Sequence, residues 1–146
     1  MVVTEVGAGP GGHALTEALG EDGYSSVLAP EPAGPDYRAI LASRSPNLTP
    51  VPSGIGVLPH RGPAAVVDFA GHVVALLGLY VPSRGPQHRR NESKRAFQDA
   101  VAKALPSFLA RFGGPLIVAG DLNVVEPGHM PHLPVFGDWE YGFYRS

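Results

Sequence analysis

A carboxylate and a primary amide stand two residues apart in Gly120-Asp121-Leu122-Asn123, directly after the apolar run Pro115-Leu116-Ile117-Val118-Ala119. A short apolar run bounded by Gly and Pro reads as a buried strand. Side chains alternate along a strand, so Asp121 and Asn123 are expected to point the same way from its end. Gly120 has no Cβ and admits another backbone or a ligand close to that point. A carboxylate so placed can ligate a metal or hold a water for attack. An amide can donate to a phosphoryl oxygen. The same residues equally describe an Asx turn, in which both side chains cap their own backbone.

A second group of polar side chains closes another apolar run. Tyr80-Val81-Pro82-Ser83-Arg84-Gly85 ends it with a phenol, a hydroxyl and a guanidinium. The only dense basic run, His88-Arg89-Arg90, follows; it reads either as a phosphate-facing loop or as a solvated lead-in to a helix. Near the start, Gly7-Ala8-Gly9-Pro10-Gly11-Gly12 matches the Gly-x-Gly-x-x-Gly spacing of a dinucleotide site, with Glu31 where a ribose-binding acid is expected. Two features count against that reading. Glu5 interrupts a first strand that such folds keep almost wholly apolar. Pro30, Pro32 and Pro35 crowd the next one. The alternative is a Gly-rich turn into a helix over 12–19. His129 and His132 suggest a metal pair, but Pro127, Pro131 and Pro134 deny them a fixed helical spacing.

These residues need elements to hold them. The pattern predicts strands over 2–6, 24–28 and 37–44, the last two as a hairpin. Residues 45–63 hold five prolines and read as mostly loop. The segments 64–69 and 72–80, joined by Ala70-Gly71, carry a hairpin signal. In the second, Val73-Val74-Ala75-Leu76-Leu77 is apolar at every position, as in a strand covered on both faces. Ala96, Phe97, Ala100, Val101, Ala104, Leu105, Phe108 and Leu109 repeat at helical spacing. Asn91 or Ser93 is expected to cap that helix, Arg95, Gln98, Asp99 and Lys103 to cover its outer face, and Pro106 to kink or split it. Strand, helix and strand make a crossover unit, so the strand ending at Tyr80 and the strand ending at Asp121 are expected to be parallel neighbours. Residues 124–146 read as loop, with Trp139, Tyr141, Phe143 and Tyr144 as packing.

Composition narrows the classes. The chain has 146 residues, 44% of them hydrophobic, with 19 Gly and 16 Pro, which predicts one globular domain over 1–146 rich in turns. A net charge of −2 supplies no global field for a polyanion. The absence of cysteine excludes disulfides and thiolate metal sites. No signal peptide or membrane span is legible, and a cytoplasmic location is the expectation.

In order along the chain, Thr4-Glu5, Tyr80-Val81-Pro82-Ser83-Arg84-Gly85 and Gly120-Asp121-Leu122-Asn123, with Leu41-Ala42-Ser43-Arg44 between, resemble the motifs of the endonuclease/exonuclease/phosphatase superfamily. That superfamily includes abasic-site endonucleases, pancreatic-type deoxyribonucleases, sphingomyelinases and inositol-phosphate phosphatases. The resemblance implies an α/β (α+β) fold, here a partial four-layer α/β/β/α sandwich, and hydrolysis of a phosphoester with Mg²⁺ or Mn²⁺. It implies Glu5 as the metal carboxylate and Asp121 as the group that orients or deprotonates the attacking water. Asn123 and Tyr80 would hold the phosphoryl group, with Ser83 and Arg84 as further phosphate contacts. The partner would be a nucleic acid or a small phosphodiester. The family's Asn before the Glu and its late Asp-His pair have no counterpart here. The expectation is therefore a chain lacking its first strand and its last strands and helix, weak or inactive alone.

Overall fold

Apolar alternation in the strands sorts the side chains into three separate layers, and those layers define the architecture. The computed structural model of the chain describes residues 1–84, 88–125, 128–131 and 136–145, with residues 88–90 described as backbone only. Its strands are β1 (Val2–Gly7), β2 (Ser26–Leu28), β3 (Tyr37–Ser43), β4 (Thr49–Val51), β5 (Ala64–Phe69), β6 (His72–Tyr80) and β7 (Leu116–Asp121). Its helices are α1 (Pro10–Glu21), α2 (His88–Phe112) and α3 (Asp138–Phe143). One sheet has the order β1-β3-β2, the other β4-β5-β6-β7. All neighbours are antiparallel except β6 and β7, which run parallel.

On β3, Ile40 and Ala42 face Leu19 of α1, with Val6 of β1 beside them. Leu41, between them in sequence, faces the other way and packs with Leu48, Ala65 and Val67, and with Val74 and Leu76 at its margin. On β6, Ala75, Leu77 and Leu79 face Phe97, Val101 and Phe108 of α2. The period of two in β3, β5 and β6 thus produces the stack α1, first sheet, second sheet, α2: an α/β sandwich with mixed α+β content. Val74 to Leu77 is apolar throughout because there β6 meets α2 on one face and the first sheet on the other; Val73, nearer the strand's start, is 48% exposed. Phe97 has no exposed surface, and burying it contributes about 1.5–3 kcal/mol.

Several expectations change. The Pro-rich stretch holds β4 and a 3₁₀ turn, Pro59–Arg61, whose proline takes a helix-starting position. Helix α2 begins at His88, so Asn91 and Ser93 lie inside it rather than at its start. Pro106 sits within α2 without splitting it; Val101 and Phe108, anchored on the sheet, hold the helix on either side. Gln98 is buried, not on the outer face. The tail carries α3, too short to show a helical period in sequence. The dinucleotide reading also fails on topology. That site needs β1 and β2 as parallel neighbours, whereas β3 lies between them and pairs with both. Glu31 is tied to buried Arg38. Gly12 serves packing, since a Cβ there would stand 1.8 Å from the Gly7 carbonyl oxygen. Among the described residues, no helix is long and apolar enough to cross a membrane.

Candidate functional site

The parallel pairing of β6 and β7 sets Tyr80 directly opposite Asp121 at the carboxyl ends of both strands. Gly120 makes that approach possible. Its φ is +143°, and a Cβ would meet the Leu79 carbonyl oxygen at 1.9 Å. From the other sheet comes Glu5. The register of β1 on β3 slips between Val3 and Val6, and Glu5 takes φ +60° within the slip. Such a bulge re-aims a side chain. Here the Tyr80 hydroxyl donates to Glu5 Oε1 at 3.2 Å across 75 residues of sequence. Four non-glycine residues among those described have positive φ, and Glu5 and Asn123 are two of them. Backbone held there costs about 1–3 kcal/mol per residue and persists where the surroundings enforce it.

Glu5, Tyr80, Pro82, Ser83 and Ser93 line an open cleft of about 490 Å³ together with Asp36, Tyr37 and Arg61. The last three were not legible in sequence. Asp36 precedes β3; Arg61 ends the 3₁₀ turn. Arg61 donates to both carboxylate oxygens of Asp36, with Nε 3.2 Å from Oδ2, and His60 Nε2 pairs with Oδ2 at 2.8 Å. The guanidinium of Arg61 lies 4.5 Å from the centre of the Tyr80 ring. Burial alone would push the Asp36 carboxyl up. The bonds from Arg61, His60 and the Tyr37 amide outweigh it and hold the group down at about 2. Burial pushes the Tyr80 phenol up, and the charge of Glu5 adds to this while Arg61 opposes it. Tyr80 is thus a neutral donor at ordinary pH.

The cleft lining does not include Asp121, Asn123 or Arg84 among the described residues. Asp121 Oδ1 accepts the Asn123 backbone N–H at 2.8 Å, and Oδ2 accepts from Asn123 Nδ2 at 3.0 Å. The second Nδ2 hydrogen goes to the Val81 carbonyl at 2.7 Å. The Asx turn open at the sequence level is therefore formed, and it orients the Asp121 carboxylate beside Tyr80. Both amide hydrogens of Asn123 are spent inside the protein. Arg84 turns to Glu140 of α3, with Nη1 3.7 Å from Oε2. The Tyr144 hydroxyl donates to the Leu122 carbonyl at 2.6 Å. Burial pushes Tyr144 up to about 12; a bond with Gln98 lowers it, and the charges of Glu140 and Asp121 raise it. The side chains of His88-Arg89-Arg90, and His132, lie outside the described residues.

No family model matches the chain, and no curated protein does. Among solved structures, it is similar to sphingomyelinase C from Streptomyces griseocarneus, with a TM-score of 0.59 at 17% sequence identity. The two share a fold. The likeness covers 97% of this chain and 54% of that one, so the chain spans about half the length of the protein it matches.

Among the described residues, no three His, Asp or Glu side chains gather to cage a cation. The donor set suits a different kind of site. Among the described residues, Asp36 is committed to Arg61 and His60, whereas Glu5 is exposed and is bonded through Oε1 to a neutral phenol. An exposed carboxylate in an open cleft that also carries the Tyr80 and Ser83 hydroxyls fits a hard cation that keeps most of its waters.

Proposed function

We propose that the chain is a phosphodiester hydrolase domain of the endonuclease/exonuclease/phosphatase superfamily, acting on a nucleic acid or small phosphodiester at the Glu5–Tyr80–Asp121 edge. The observation that carries this reading is the convergence itself. Residues 5, 80 and 121 come from three separate elements and two sheets, and one hydrogen bond and one strand register bring them together. The shared fold with sphingomyelinase C supports it.

Glu5 would hold Mg²⁺ or Mn²⁺, and that ion would supply charge neutralisation on the phosphoryl group. Asp121, an oriented carboxylate, would accept the proton of the attacking water. Asn123 holds Asp121 in that orientation through its amide, a role its own partners favour over direct contact with phosphate. The Tyr80 hydroxyl donates to Glu5 in the free protein and would donate to a phosphoryl oxygen in the complex. Ser83 adds a hydroxyl. Arg61, braced by Asp36 and stacked on Tyr80, brings the cleft a fixed positive charge suited to an anionic group. Arg84 stands farther off and would act only after leaving Glu140.

The test uses bis(p-nitrophenyl) phosphate with and without Mg²⁺. Phosphorus-31 line broadening reports binding, and p-nitrophenol release reports turnover. We expect Mg²⁺-dependent binding that Glu5→Gln weakens. We expect slow turnover that Asp121→Ala lowers by about a hundredfold or more. Mg²⁺-independent binding, or turnover indifferent to Asp121→Ala, would overturn the proposal.

A further inference from the structure

Helix α2 begins its buried face with a charge. Lys94 stands one turn before Phe97 and is fully buried, and so is its partner, Glu140 of α3. Lys94 Nζ lies 2.5 Å from Glu140 Oε1. It also donates to the backbone carbonyl of Asn123 at 2.8 Å. An ammonium has three donors and no acceptor; the Phe136 ring centre lies 5.3 Å from Nζ and the Trp139 ring centre 5.9 Å away. Glu140 is equally committed. Its Oε2 accepts the Gly137 N–H at 2.8 Å and faces Arg84 at 3.7 Å.

We infer that Lys94 and Glu140 are a positioning pair: Lys94 holds the Asn123 carbonyl, and Glu140 holds Lys94. The inference rests on the reading of Asp121 as the acid of the site. Asn123 has φ +49°, outside the strand conformation, so its carbonyl leaves the sheet ladder and needs a partner elsewhere. Lys94 is that partner. The N–H and side-chain amide of the same residue bind Asp121. The chain of contacts therefore runs Glu140, Lys94, Asn123, Asp121, from α3 through α2 to the end of β7.

Packing α3 on α2 does not require ions. Apolar residues in place of a buried ion pair commonly leave stability unchanged or raised. What they cannot supply is a donor to the Asn123 carbonyl. The double substitution Lys94→Met/Glu140→Leu separates the two roles, because it removes both charges and keeps apolar bulk.

The readouts are nitrogen-15 detected amide exchange at Asn123, the thermal midpoint, and kcat and KM for bis(p-nitrophenyl) phosphate with Mg²⁺. In the double variant we expect Asn123 exchange to quicken at least tenfold while the amides of β5 keep wild-type rates. We expect kcat to fall at least tenfold with KM nearly unchanged. Lys94→Arg, which keeps a cationic donor, should recover part of both losses. If the double variant does not fold, Glu140→Gln, near-isosteric, is expected to move Asn123 exchange in the same direction. Wild-type Asn123 exchange in a folded double variant, or in Glu140→Gln, would overturn the inference. A wild-type chain with no turnover at all would count against the proposed hydrolase alone, and Asn123 exchange would still decide the role of the pair.

Discussion

Two ionic clusters stand near the strand ends, and they differ in their exposure to solvent. Asp36 and Arg61 meet on the wall of the open cleft with His60 bonded to Asp36, whose side chain keeps 29% of its surface exposed. Lys94 and Glu140 meet between α2 and α3 with none. Asp36 and Arg61 of the first cluster line the candidate ligand cavity, with His60 bonded to Asp36; the second cluster lies behind Asn123, bonded to its backbone. Water reaches the Asp36 side of the cleft cluster, although the His60 and Arg61 side chains are about nine-tenths buried. It cannot do so between the helices, where a lone charge would lack both partner and solvent. One cluster is therefore suited to exchanging partners with a ligand, the other to holding a backbone still.

Breaking each cluster in turn sharpens the contrast. Lys94→Met alone strands Glu140 and should cost about 3–5 kcal/mol in urea unfolding. Asp36→Asn should cost about 1–3 kcal/mol, because it removes charge-assisted bonds that water replaces in part. Acid provides a second probe of the same group. The folded Asp36 carboxyl is held at about 2, below its ordinary 3.8, so its stabilisation is intact above about pH 4 and lost as pH falls through about 2. Urea midpoints across that window should fall less steeply for Asp36→Asn than for the wild type. The smallest effect belongs to Arg44 and Asp22, a pair 2.6 Å apart with both side chains largely in water. Asp22→Ala should leave the urea midpoint indistinguishable from wild type. A resolvable loss there would mean that solvent exposure does not rank these clusters.

Sphingomyelinase C shares the fold at 17% identity, and the likeness speaks for the architecture.

Alternating and helical apolar patterns carried most of the architecture. They marked β3, β5, β6 and α2 because each buries a regular face, and a regular face writes a period into the chain. The apolar runs of β1 and β7 marked strands as well, but β7 is not the buried strand its run suggests: Ile117 and Val118 stand exposed. The crossover from β6 to β7 followed from connection geometry, and with it the pairing of Tyr80 with Asp121. Short elements left no such trace: β4 has three residues and α3 six, less than two turns of helix. Lys94 and Gln98 were legible in one respect, since they continue the Phe97 face at three- and four-residue spacing. Their polarity masked it, and the partner that makes a buried Lys94 tolerable is 46 residues away. Asp36 and Arg61 are likewise 25 residues apart. A residue's own type and neighbours decide whether it sits in a strand or helix. Whether a charge is buried, and what it then holds in place, depends on partners that only the packed layers bring within hydrogen-bond distance.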